Sequence, residues 1–264
     1  MDANEGKIVF VGLMPHAPVL IPEVGQGRER EAGQVVDAMV ELSRRMMECQ
    51  PDRLVLISPH SPRQRGRFGI WIDPRIAGDL GRFRAQEVQI NVPTDLTFAE
   101  ALGKEACWEI RGEALDHGAS VPLYFLTKGG WDGPTTLLSL NYPGDGGLVE
   151  LGRAIAEVTG KLGGTTAVIA SGDMSHALIP GAPCGFQPRA KEFDARFVEL
   201  IKSRHYQEVQ AIDPVLQELA SEDVVDSTVI GAASVDWAAS GAEFLAYQCP
   251  FGVGYSVAVL FADE

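Results

Sequence analysis

Three apolar runs along the chain end in the same way. Ile8 to Leu13 leads through Met14 and Pro15 to His16. Leu54 to Ile57 leads through Ser58 and Pro59 to His60, and Thr166 to Ala170 leads through Ser171-Gly172-Asp173-Met174-Ser175 to His176. Apolar runs without alternation read as strands covered on both faces, the pattern of a parallel sheet between helices. The stretches between them have helical spacing. Glu29 to Cys49 puts Val35, Val36, Met39, Val40, Met46 and Met47 mostly on one face before Pro51 ends it. Leu148 to Leu162 closes on Gly163-Gly164, Lys191 to Arg204 is amphipathic, and Pro214 to Ala220 is a short helix. Val224 to Ala239 is small and apolar almost throughout, which predicts a buried helix.

The other segments are less regular. Ala17 to Glu23 carries two prolines and predicts a loop at the mouth of the sheet. Phe68 to Ile72 and Glu87 to Val92 alternate like the half-buried strands of a side hairpin, with the surrounding arginines as a solvated edge. Pro93-Thr94-Asp95 predicts a helix start, the helix runs from Leu96 to Ala114, and Asp116 to Leu123 breaks the pattern. Thr135 to Leu140 reads as a strand, and Glu243 to Tyr247 with Val253 to Phe261 as a terminal strand pair. The Pro/Gly loop from His176 to Pro188 is long enough to be a lid or pocket wall. The expected fold is α/β: a single domain over residues 1–264, with a mostly parallel central sheet flanked by helices and a C-terminal strand pair.

Composition narrows the function. The chain of 264 residues is 45% hydrophobic and 22% charged, a globular balance. A formal net charge of -14 argues against a nucleic-acid partner, since phosphate binding needs clustered Lys and Arg. The four cysteines, at 49, 107, 184 and 249, form no CxxC clip. No signal-peptide pattern is present, and no apolar stretch approaches the ~20 residues that span a bilayer. These features predict a cytoplasmic protein with free thiols and no membrane partner.

In an open parallel sheet, ligands bind beyond the carboxyl ends of the strands. His16, His60 and His176 are delivered there from distant parts of the chain, which points to one metal-centred site. His117 also sits at an element end, whereas His205 follows a helix and reads as surface. Two imidazoles and one carboxylate on one face hold Fe(II) with positions open for substrate and oxygen. The same donors also serve zinc. Glu222, Asp223, Asp226, Asp173 and Glu243 are the candidate carboxylates. On spacing alone Glu222 and Asp223 read first as caps on the helix that follows them. No GxSxG elbow, Gly-rich phosphate loop with Lys-Ser/Thr, or GxGxxG is present, which argues against a serine hydrolase and against nucleotide binding.

Four blocks then resemble a known family. They are Met14-Pro15-His16-Ala17-Pro18, Ser58-Pro59-His60-Ser61-Pro62, Asp116-His117-Gly118-Ala119-Ser120-Val121-Pro122-Leu123 and Ser171-Gly172-Asp173-Met174-Ser175-His176. Together with the tail from Tyr247 to Tyr255, they resemble the class III extradiol ring-cleavage dioxygenases, catalytic B-subunit type, of the LigB-like superfamily. That group also includes the Memo-like proteins. The resemblance implies an Fe(II)-dependent oxidoreductase acting on a catechol-type aromatic diol with O2. It implies His16 and His60 as metal ligands, His176 as the acid/base, and His117 as a hydrogen-bond donor on the substrate or oxygen side. Laying Ala220 to Ser227 over the family's carboxylate block implies Glu222 as the third ligand, with Asp223 the runner-up. Memo-like relatives use a cysteine near that block; this chain has none there, which favours two histidines and a carboxylate. The alternative on the same scaffold is a Memo-like metal-binding, redox or interaction protein without ring cleavage. Both a homo-oligomer and a small partner subunit are compatible with the resemblance.

Overall fold

The apolar runs become the middle of one sheet whose two faces are both covered. The computed structural model describes residues 5–142 and 146–263. In chain order the strands are β1 (Lys7–Met14), β2 (Arg53–Ser58), β3 (Phe68–Trp71), β4 (Arg75–Leu80), β5 (Ala85–Pro93), β6 (Cys107–Ile110), β7 (Thr135–Ser139), β8 (Thr165–Ser171), β9 (Glu243–Gln248) and β10 (Tyr255–Ala262). The helices are α1 (Pro22–Gly25), α2 (Gly33–Glu48), α3 (Leu96–Ala106), α4 (His117–Lys128), α5 (Leu148–Leu162), α6 (Ala190–Lys202), α7 (Pro214–Ala220) and α8 (Val225–Ala233). Among the described residues, eight strands form the central sheet in the order β6-β3-β7-β2-β8-β1-β10-β9. The four in the middle, β7, β2, β8 and β1, are parallel. At one end β10 runs antiparallel to β1 and β9 pairs antiparallel with β10, and at the other β3 runs antiparallel to β7. The fold is thus a single α/β domain with a mostly parallel sheet flanked by helices.

Alternate residues of the central strands feed two separate cores, as side chains on a pleat must. Leu54, Leu56, Ala167 and Ile169 pack with Val35, Met39, Leu42 and Met46 of α2 and with Leu123 and Leu126 of α4. Val55, Ile57, Val168 and Ala170 pack on the other face with Phe98 of α3, Ile155 of α5, Phe193 and Phe197 of α6 and Val229 of α8. This double burial explains why the strand runs are continuous rather than alternating.

Several expected elements are corrected. The segment from Ala17 to Glu23 is not a plain loop: a 3-10 turn covers Pro18–Leu20 and α1 begins at Pro22. Each proline stands at the first position, where its missing N–H costs nothing. The helix after Asp95 stops at Ala106, and Cys107–Ile110 pairs with β3 as an edge strand. Strand β3 belongs to the main sheet, and the side hairpin pairs β5 with β4 instead. The block starting at Asp116 does not break the pattern but starts α4. There the Asp116 side chain accepts from the Ala119 N–H at 3.1 Å, and Pro122 lies inside the helix.

Candidate metal centre

The topology brings the strand-end histidines to one rim. Strand β8 lies between β2 and β1, so the segments after β2 and β1 converge over the carboxyl end of β8. The Nε2 atoms of His16 and His60 are 3.0 Å apart. Asp223 Oδ2 lies 3.4 Å from His16 Nε2 and 3.1 Å from His60 Nε2. His117 stacks on His60 with ring centroids 4.1 Å apart and meets His16 edge-on at 5.4 Å. One ring nitrogen from each of His16, His60 and His117 lies within 4.8 Å of the other two.

The orientation of His16 is fixed from beneath. Its ring is buried, and Nδ1 lies 3.0 Å from Ser171 Oγ. The single hydroxyl proton of Ser171 goes to the Gly118 carbonyl, 2.6 Å away. Ser171 must therefore accept from His16 Nδ1–H, which leaves Nε2 without its own fixed proton. The Gly118 carbonyl is free to take that bond for a local reason. Its helical donor would be the N–H four residues on, and that residue is Pro122, which has none. The backbone N–H of His16 donates to Asp173 Oδ1 at 2.8 Å.

Asp223 is held by a reciprocal clasp. The Asp173 N–H donates to Asp223 Oδ1 at 2.7 Å, and the Asp223 N–H donates to the Asp173 carbonyl at 3.2 Å. That engages Oδ1 and leaves Oδ2 toward the imidazoles. Gly172 permits the approach, because a methyl there would run into the Val224 backbone. Glu222, implied above as the acidic donor, does not face the histidines; the runner-up Asp223 does. Its Oε2 accepts from the N–H groups of Val224 and Val225, at 2.7 and 2.9 Å, and so caps α8. Successive side chains leave a turn in different directions, so one position decides which carboxylate faces the histidines.

Charge is distributed unevenly over these groups. Burial works against a proton on His16, but Asp173 and Asp223 outweigh it and raise its pKa to about 9. Burial opposes the charge on Asp223, yet His16 and His60 hold its carboxyl well below the usual range. Burial pushes Asp173 up, and Asp223 beside it adds to the effect. Of the two carboxyls, Asp223 is the one held below the usual range. Burial of the Glu222 carboxyl raises it to about 8. His117 is pushed down to about 4 by burial and by the neighbouring imidazoles, so it is neutral at physiological pH.

His176 follows β8 on the same rim and is half-buried. Its Nδ1–H donates to the Ser221 carbonyl at 2.8 Å, which leaves Nε2 as an acceptor. His205 lies on the surface, with its side chain 60% exposed. Phe83, at the tip between β4 and β5, meets the His117 ring with centroids 5.6 Å apart, so that tip is more than the solvated edge its arginines predict. Ser58, Ser61 and Ser171 also support the site, although in the sequence they stand only as the flanks of His60 and the end of the β8 run.

Known proteins agree with this fold. A structure of an uncharacterized protein, JW3007 from Escherichia coli K12, superimposes with a TM-score of 0.60 over 95% of this chain and 98% of that one, at 14% identity. Protein CA_C1420 of Clostridium acetobutylicum is 26% identical over 265 residues, covering 95% of this chain and 57% of its own length. The chain thus spans little more than half of that curated relative. The family of the catalytic LigB subunit of aromatic ring-opening dioxygenase matches over residues 11–258, and the chain belongs to that family.

Proposed function

We propose that this protein is a non-haem Fe(II)-dependent extradiol dioxygenase that opens a catechol-type aromatic diol with O2. The observation that carries the reading is the triangle of His16 Nε2, His60 Nε2 and Asp223 Oδ2, with edges of 3.0, 3.1 and 3.4 Å. Two imidazoles and one carboxylate on one face fit non-haem Fe(II), with positions left open for diol and oxygen. His16, His60 and Asp223 would hold the metal. Bound there, Fe(II) would supply an electron path from diol to oxygen and the positive charge that orients both.

The chain's own residues do the rest. His176 Nε2, opposite the nitrogen held by the Ser221 carbonyl, takes a proton from a substrate hydroxyl and later returns one. His117, neutral above about pH 4, offers a hydrogen bond without adding charge beside the donors. Phe83 and the stacked rings of His60 and His117 give the site an aromatic wall on one side.

The test is anaerobic loading with Fe(II), then a panel of catechols, then air. Oxygen uptake with a yellow ring-opened product supports the reading. Tight metal binding without oxygen uptake across the panel supports a Memo-like binding or redox role. Turnover without oxygen supports a zinc hydrolase on the same three donors.

A further inference from the structure

Asp116 has no part in the reaction described above, yet its carboxylate joins two of the site's segments. Oδ1 accepts from the Ser58 hydroxyl at 2.6 Å and from the Ala119 N–H at 3.1 Å. Oδ2 accepts from the Ser61 hydroxyl at 2.6 Å. Ser58 Oγ in turn accepts from the His60 N–H at 3.3 Å, and Ser61 Oγ from the indole N–H of buried Trp71 at 3.3 Å. A helix cap needs a single acceptor, which the Ala119 bond supplies. The two serine bonds add nothing to α4. They reach across to the segment that carries His60, which has no regular structure of its own after β2. His117, next to Asp116, then stacks on His60. Gly118 shows how tightly the two segments meet: a methyl there would strike Ser58 Oγ and press on His60.

We propose that Asp116 is a positioning residue that sets His60 against His117, so that the second imidazole donor is in place before metal arrives. The proposal rests on His60 being a ligand, as read above. Groups that orient metal ligands from behind typically change affinity by about 10- to 100-fold when removed.

The test separates the clamp from the cap. Ser58→Ala/Ser61→Ala removes both bonds to the His60 segment and leaves the Ala119 bond intact. Asp116→Asn keeps the carboxylate's shape and is the second variant should the double one fold poorly. Two quantities are measured: Co(II) affinity by absorption titration, and the histidine side-chain 1H–15N resonances of the metal-free proteins. The expected result is Co(II) affinity lowered about 10- to 100-fold in the double variant and less in Asp116→Asn. The His60 and His117 resonances should move while those of His205 stay put. Unchanged resonances together with unchanged Co(II) affinity would overturn the proposal. Moved resonances in a protein whose wild type binds no Co(II) would support the positioning role and remove the metal reading instead.

Discussion

The Nε2 atoms of His16 and His60 lie 3.0 Å apart although their strands are not neighbours; β8 runs between them. Both segments lean over the end of that strand, and Asp223 closes the group from the turn before α8. Without a metal, nitrogens this close to each other and to a carboxylate oxygen share a proton. With one bound as proposed above, all three would point at the same ion.

The neighbours Glu222 and Asp223 should separate cleanly by mutation. Asp223→Ala removes a donor from the triangle, so metal affinity should drop by more than the roughly 10- to 100-fold expected for a supporting residue. Glu222→Ala removes the acceptor for two helix amides, so the fold should lose about 1 kcal/mol with metal affinity changed little. Isothermal metal titration and thermal melts check both. The reverse pattern would return the ligand role to Glu222.

Gly118→Ala tests the close approach of α4 to the His60 segment. The added methyl meets Ser58 Oγ, Asp116 Oδ1 and His60 Cδ2. Overpacking of this kind costs about 1–3 kcal/mol, against less than about 1 kcal/mol that alanine gains over glycine in a helix. A lower melting temperature together with weaker metal binding is expected. A variant as stable and as tightly binding as the wild type would show that the segments have room to spare.

Asp194 gives a pH dependence of stability. It is buried, with Oδ1 on the Ser175 N–H at 3.0 Å and Oδ2 on the Tyr247 hydroxyl at 2.7 Å. Burial raises its pKa from 3.8 to about 6 despite those two bonds. A carboxyl raised on folding stabilises the fold fully below its unfolded pKa, and that contribution is lost as pH climbs through the folded value. The wild type should thus lose about 3 kcal/mol through this group between roughly pH 4 and pH 7. Asp194→Asn should not, so the stability of the variant relative to wild type should rise over that window and then level off. Denaturant melts at a series of pH values would measure it, and a flat difference would contradict it.

His176→Ala should leave metal affinity unchanged and lower ring-opening turnover by roughly 10²- to 10⁴-fold, the range for a lost acid/base group. Single-turnover kinetics on the loaded enzyme reads this directly. Unchanged turnover would take His176 out of the reaction.

Much of the frame could be read from the chain, because burial on both faces leaves a plain mark. Leu54 to Ile57 and Ala167 to Ala170 are apolar without a break, and a histidine follows each. The departures from that frame are local. Pro122 and Gly118 look like helix breakers, yet Asp116 caps the helix before them and the carbonyl that Pro122 frees is used by Ser171. The four residues of β6 carry on the spacing of the helix ahead of them, so only pairing with β3 reveals the strand. The carboxylate that faces the imidazoles lies one position from the one the resemblance implies, because nothing in Glu222-Asp223 as a sequence says which side chain the turn aims inward; the Asp173 clasp decides that. The serines around His60 gave no sign of their function because their shared partner, Asp116, lies 55 residues or more away.

The most direct measurement is a crystal structure of the Fe(II)-loaded protein, with diffraction recorded on both sides of the iron absorption edge. The expected result is a single anomalous peak bonded to His16 Nε2, His60 Nε2 and Asp223 Oδ2, with Glu222 still on the first amides of α8. A peak on Glu222, or none between the two imidazoles, would contradict it.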